Sequence, residues 1–220
     1  MSITVIIIII TALVSFTAFS NQKVVDDLIF YPPAVSQHNQ WYRFFSCGLI
    51  HADIAHLAFN MYAFYLFGSR VEEAFTTIFG EKGKIFYLLM YISALGVCLL
   101  PTYAKNKNNY HYRSLGASGA VSAVVFAYIL FNPLQGLGLL FIPIYIAGFL
   151  FGLIYLLISN WMEKRGGDGI NHSAHMWGSI YGVVFIVVMA KFFSDVPVLG
   201  IFIEQIKNMD PSQIITFGRY

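Results

Sequence analysis

Charge is the scarcest commodity in this sequence. Only 11% of its 220 residues are Asp, Glu, Lys or Arg, against about 25% in an ordinary soluble domain, while 58% are hydrophobic and mean hydropathy is +0.67. A water-soluble globule is excluded. So is a disordered chain, because 21 Phe and 14 Tyr would collapse in water. The 13 Lys and Arg are scattered singly or in pairs, so no basic face that could track phosphates can be assembled, and nucleic acid is not a partner. Two cysteines, Cys47 and Cys98, lie far apart in sequence, which provides no disulfide framework. An H-E-x-x-H zinc motif is missing too: His51 and His56 are five residues apart and no glutamate lies between them.

What the sequence does have is long apolar runs. A helix needs about 20 apolar residues to cross a hydrocarbon core of about 30 Å. Six runs approach that length: residues 3–19, 49–68, 85–103, 117–131, 139–159 and 174–190. Breakers such as Pro32-Pro33, Gly83, Pro133 and Gly166-Gly167 separate them. The longest polar stretch, between the first two runs, is about thirty residues, too short for a second domain. The expected architecture is an all-α membrane protein, a six-transmembrane-helix bundle with a short fourth span. It would occupy residues 1–195, with a weakly amphipathic C-terminal tail over 196–220. The first run lacks the basic flank of a secretory signal, so it is read as a retained span although Ala18-Phe19-Ser20 loosely imitates a cleavage site. Lys and Arg divide almost evenly between the two sides, so the positive-inside rule gives no orientation.

Polar side chains inside membrane spans are costly and need a partner or a task. Here they collect at the beginnings of the second, fourth and sixth runs: His51, His56 and Asn60; Gly116-Ala117-Ser118-Gly119; and Asn171-His172-Ser173-Ala174-His175. Alternate spans run in the same direction, so these three clusters converge on one membrane face. His56 and Asn60, four apart, share a helix face, whereas His51 points elsewhere. The fourth run, about 22 Å as a helix, is too short for the bilayer. Ser118 at its start is therefore expected below the membrane surface, at the floor of a wet pocket. Gly116, Gly119 and Ala120 in that run, and a Gly178-x-x-x-Gly182 pair in the sixth, allow two helices to approach closely. His175, three residues before Gly178, would then reach Ser118, and a serine hydroxyl becomes a nucleophile when a histidine takes its proton.

These residues resemble the rhomboid intramembrane serine proteases over residues 41 to about 190. The likeness rests on His51, His56-Leu57-Ala58-Phe59-Asn60, Gly116-Ala117-Ser118-Gly119 and Ala174-His175-Met176-Trp177-Gly178, in that order on the corresponding spans. The resemblance implies an aspartate-free Ser-His dyad, with Ser118 as nucleophile and His175 as general base and then acid. It implies an oxyanion hole formed by the Ser118 N–H, His56 and Asn60, with His51 in a supporting role, and Trp41-Tyr42-Arg43 matches the family's first-loop Trp-Arg element with one residue inserted. It further implies transmembrane protein substrates that enter between spans two and five and carry a small side chain before the scissile bond. No metal or other cofactor is needed. One position departs from the pattern: where several relatives stack an aromatic on the catalytic histidine, four residues after the serine, this chain has Ser122. Trp177 or His172 would then have to orient His175.

Other readings of the same residues stand beside this one. His172 could be the base, although it is expected to be the more exposed of the two. Asp168 or Asp53 could complete a triad, but Asp53 looks like a helix cap. A haem carrier using His56 and His175, a metal enzyme, and a non-catalytic membrane chaperone on the same scaffold are the rival classes. Pro143, placed in span five, and Gly136 and Gly138 before it suggest a deformable gate. The shortness of the chain points to a prokaryotic plasma membrane, with the site opening on the extracytoplasmic side.

Overall fold

A computed structural model describes residues 2–138, 143–167 and 169–217. Among these, six helices have at least fourteen residues: α1 (Ile3–Ser20), α2 (Ile54–Phe79), α3 (Gly83–Val97), α4 (Ser118–Phe131), α5 (Gly148–Arg165) and α6 (His172–Phe193). Each falls on one of the six apolar runs. By length and composition, three helical stretches suffice to cross a membrane: Ile3–Ser20, Ile54–Asn106 and His172–Phe193; α4 is apolar but shorter. The protein is a predominantly helical integral membrane protein.

Boundaries shift for local reasons. α2 starts later than its apolar run because His51 to Asp53 form a turn, and the Asp53 carboxylate accepts the His56 N–H at 2.7 Å as an N-cap. It then runs on through Val71, Phe75 and Phe79, buried at four-residue spacing, until Gly80 turns the chain with φ +58°. The third run breaks at Cys98–Leu99 and resumes as Leu100–Asn106, with Pro101 in the opening turn where its missing N–H costs nothing.

The fifth run is where expectation and structure part. Its helix begins at Gly148, so Pro143 precedes the helix; residues 139–142 and Asp168 lie outside the described residues. Pro133, Gly136, Gly138 and Pro143 prevent helix after α4, and the β-branched and aromatic Ile144-Tyr145-Ile146 favour a strand. The result departs from an all-helical fold: β1 (Gly136–Leu137), β2 (Ile144–Ala147) and β3 (Ile215–Phe217) form an antiparallel sheet. Residues after 195 fold back on the bundle. Val196, Val198 and Phe202 pack against its core, Val198–Lys207 is helical, and β3 pairs with β2.

At the centre stands α4, with ten of its fourteen residues buried, packed against α2, α3, α5 and α6. On the periphery, α1 is fixed by a buried Thr4, Ile7, Thr11, Ser15 and Ala18 stripe. Its first turn is held by Glu72 of α2, whose carboxylate accepts from Ser2 Oγ at 2.6 Å, Thr4 Oγ at 2.9 Å, and the Ile3 and Thr4 N–H groups at 2.9 and 3.0 Å. An anion at a helix N-terminus satisfies amides that have no intrahelical acceptor and favours the helix dipole. In the segment before α2, Arg43 is buried and donates to the Asp26 and Ile29 carbonyls at 2.9 and 2.7 Å, tying that segment into one unit, while Trp41 remains exposed.

Candidate active site

Ser118 is the first residue of α4. The chain enters through Gly116, whose φ of +109° is open to glycine and strained for other residues. Its bare Cα also makes room for a neighbour, since a Cβ there would lie 2.9 Å from His56 Cε1 and 3.1 Å from its Nε2. The His56 imidazole therefore rests against the turn that delivers the serine. Its Nδ1 accepts the Ala52 N–H at 3.4 Å, which assigns the proton of the neutral ring to Nε2, the nitrogen facing that turn. Asn60, one turn deeper on the same face, is buried and donates one amide hydrogen to the His56 carbonyl at 3.0 Å.

The opposite wall is α6. His175 Nε2 lies 2.6 Å from Ser118 Oγ, within bonding reach. The approach depends on glycine: a Cβ on Gly178 would overlap the Gly119 carbonyl, and one on Gly182 would overlap the Ala123 carbonyl. Cys98 Sγ fills the space beside Gly119, so the residue that caps the end of α3 supports the nucleophile turn from behind. The start of α6 is capped twice. Asn171 Oδ1 accepts from the Ala174 N–H and from Thr102 Oγ, each at 3.0 Å, and Glu163 of α5 accepts the Ser173 N–H at 3.1 Å while pairing with Lys105 at 3.0 Å.

His172 differs from expectation. It is buried and His175 is the half-exposed one, because His172 faces inward at the helix start. The two rings meet edge to face at 5.8 Å, whereas Trp177 is exposed on the outer surface, so the ring beside His175 is that of His172. At the departing position, Ser122 Oγ is hydrogen-bonded to Tyr155 of α5 at 2.8 Å.

His51 lies in the turn ahead of α2, outside the helices, and is buried beside the Gly116 turn. Ser15 Oγ donates to the Leu49 carbonyl at 2.9 Å, which leaves it to accept from His51 Nδ1 at 3.0 Å; His51 Nε2 then accepts the Ala117 N–H at a long 3.5 Å. With Nδ1 donating and Nε2 accepting, the ring is in its neutral form, and this chain of bonds keeps its direction. Gly116 N–H is fixed in turn to the Cys47 carbonyl at 2.9 Å. A cleft of about 690 Å³ opens beside His51, bounded by Gln22, Val25, Asp53 and Leu115. It is not centred on Ser118, which is half-buried against α6; the His51 ring lines the cleft and bonds to the nucleophile turn.

Ser15, Glu163 and Tyr155 were not among the sequence candidates. Ser15 carried a signal in the Thr4, Thr11, Ser15 stripe of a mostly apolar helix; the other two sit among ordinary interface and helix-end residues. No cluster of three His, Cys, Asp or Glu side chains suited to a metal occurs among the described residues.

Helices α4 and α6 thus bring a histidine within bonding reach of a serine at a helix N-terminus, and α2 sets a second histidine against the turn before that serine, inside an apolar bundle. A polar centre of this kind in an integral membrane protein defines a serine-histidine membrane protein class. Comparison with known proteins places it further: residues 38–192 match the rhomboid domain, and the chain belongs to the rhomboid family. It is 26% identical over 194 residues to the rhomboid protease GlpG of Haemophilus influenzae, covering 84% of this chain and 91% of that protein. It is 28% identical over 167 residues to the chloroplastic rhomboid-like protein 11 of Arabidopsis thaliana, covering 69% of this chain and 54% of that one. The mitochondrial presenilin-associated rhomboid-like protein of Mus musculus is 28% identical over 143 residues, where the match spans 62% of this chain and 35% of the mouse protein. The chain thus spans about half of the plant protein and a third of the mouse one.

Proposed function

We propose that this protein is an intramembrane serine endopeptidase that cleaves transmembrane segments of other membrane proteins. The observation that carries the reading is the 2.6 Å approach of Ser118 Oγ to His175 Nε2. A neutral His175 protonated on Nδ1 accepts the hydroxyl proton at Nε2 as Oγ bonds to the scissile carbonyl carbon. The same proton then passes to the departing amine, the acyl-serine forms, and a water activated by His175 releases the acid.

The carbonyl oxygen gains negative charge in both steps. Its donors in this reading are the Ser118 N–H, the Nε2–H of His56 and the amide of Asn60. Because Ser118 opens α4, the unpaired amides of that first turn add a favourable field. Losing one such donor typically costs about 3 to 4 kcal/mol of transition-state stabilisation.

In this reading the chain crosses the membrane six times, so that Ser118, His56 and His175 lie toward one face. Substrate would enter between α2 and α5, which hardly touch each other and are both rich in exposed apolar side chains, Phe59 and Tyr62 on the first and Leu153 and Leu157 on the second. A small residue before the scissile bond suits the crowded approach to Ser118. The membrane is taken to be a prokaryotic plasma membrane, with the mouth on the extracytoplasmic side. The test is cleavage of a transmembrane substrate in liposomes. Ser118→Ala and His175→Ala are expected to abolish it with the fold intact, and full activity in Ser118→Ala would refute the reading.

A further inference from the structure

The chain passes from the short α4 into the sheet. At 1.5 Å per residue the fourteen residues of α4 span about 21 Å, roughly 9 Å short of the hydrocarbon thickness. The chain leaves α4 at the end opposite Ser118, and α5 begins there. α6 runs from His175 toward the same end, so the segment after it also returns to that side. Residues at such depth need every backbone polar group satisfied within the protein, which a polar loop cannot provide. Strand pairing does so for the central strand β2, which is paired on both sides: Gly136 pairs with Ala147, Leu137 with Ile146, Ile144 with Phe217 and Ile146 with Ile215.

Side chains alternate across a strand, so the register settles which residues share a face. Ile144, Ile146, Ile215 and Phe217 lie on one face, with Leu137 at its inner margin; Tyr145 and Thr216 lie on the other. Leu137 is buried against Phe126 and Ile129 of α4. Beyond it the same face emerges from the bundle. Ile144 is 42% exposed, Ile215 48% and Phe217 78%, while Thr216 on the reverse face is only partly exposed. A sheet at a water boundary would be arranged the other way round. α5 follows β2 directly in the chain and exposes Leu153 and Leu157, and the Val198–Lys207 helix at the same end exposes Leu199 and Ile203.

We propose that this sheet is a lipid-contacting surface: its Ile144, Ile215 and Phe217 face sits at the acyl boundary of the leaflet opposite the Ser118 mouth. The C-terminal segment is then a membrane-seated strand that holds the foot of α5. The inference rests on membrane insertion of the helices and not on proteolysis.

The experiment is fluorescence quenching of the full chain in phosphatidylcholine liposomes, with an environment-sensitive label on Phe217→Cys, and on Ile144→Cys as a second position in case the first variant misfolds. Leu157→Cys on α5 reports lipid and Gly167→Cys, an open loop position, reports water. Buried Cys47 and Cys98 stay in place, with unsubstituted protein as the labelling blank. The labels at 217 and 144 are expected to emit to the blue, to be quenched by lipids spin-labelled near the headgroup, and to resist aqueous iodide several-fold better than the label at 167. Iodide quenching at 217 and 144 equal to that at 167, with 157 still quenched by lipid, would overturn the proposal and leave membrane insertion standing. Self-quenching between labelled copies without lipid quenching would overturn it in favour of a second copy on this face.

Discussion

Replacing Gly178 with alanine tests whether helix proximity makes the Ser118–His175 pair. The new methyl group would overlap the carbonyl oxygen of Gly119, which is backbone and has no rotamer through which to retreat. Ordinary contact returns only if α4 and α6 separate by well over 1 Å, and overpacking of this kind typically costs about 1 to 3 kcal/mol of stability. Gly119 follows Ser118, and Gly178 lies one turn after His175, so the separation acts directly on a bond now 2.6 Å long. A displacement of about 1 Å in a catalytic pair is commonly worth about 100-fold in rate. Gly182→Ala serves as the comparison, because it meets the Ala123 carbonyl one turn deeper and strains the same interface farther from the dyad. Initial rates on a transmembrane substrate in liposomes, with thermal melts of both variants, separate the effects. Gly178→Ala is expected to lose about 100-fold in kcat with KM nearly unchanged, and Gly182→Ala to lose similar stability but much less rate. Full kcat in a folded Gly178→Ala protein would refute the argument that this glycine sets the dyad distance.

Three further outcomes follow from the geometry. Glu72→Gln removes the charge that receives four donors at the start of α1 and should lower stability by about 1 to 3 kcal/mol in detergent melts; an unchanged melt would show that α1 does not depend on that cap. Tyr155→Phe deletes the hydroxyl bonded to Ser122 and should cost about 0.6 to 1.7 kcal/mol, with Ser122→Ala adding little in the double variant; additive losses would mean that the two groups do not interact. Asn60→Ala should slow turnover far more than it raises KM, and an unchanged kcat would remove Asn60 from the oxyanion-stabilising groups.

Helices were legible because apolar runs and their punctuation are strong signals. The meeting of Ser118 with His175 was legible because parity puts the starts of alternate helices at one end. The segment between α4 and α5 was misread because an apolar run says only that residues avoid water. The turn-formers Pro133, Gly136 and Pro143 outweigh hydropathy there, and β3, the partner that completes the sheet, lies some seventy residues away in sequence. Exposure of His172 was misjudged because closeness to a loop in sequence does not fix which way a first-turn residue faces. Long-range supports such as Ser15 under His51 and Glu163 on the α6 start required three dimensions.

The most direct test of the central claim is labelling of the purified full-length protein with a fluorophosphonate, followed by mapping of the modified residue. Attack on phosphorus needs a serine oxygen activated by a base. The account predicts modification at Ser118, absent from both Ser118→Ala and His175→Ala. An unlabelled protein that is folded, or a label on another residue that survives both substitutions, would contradict it.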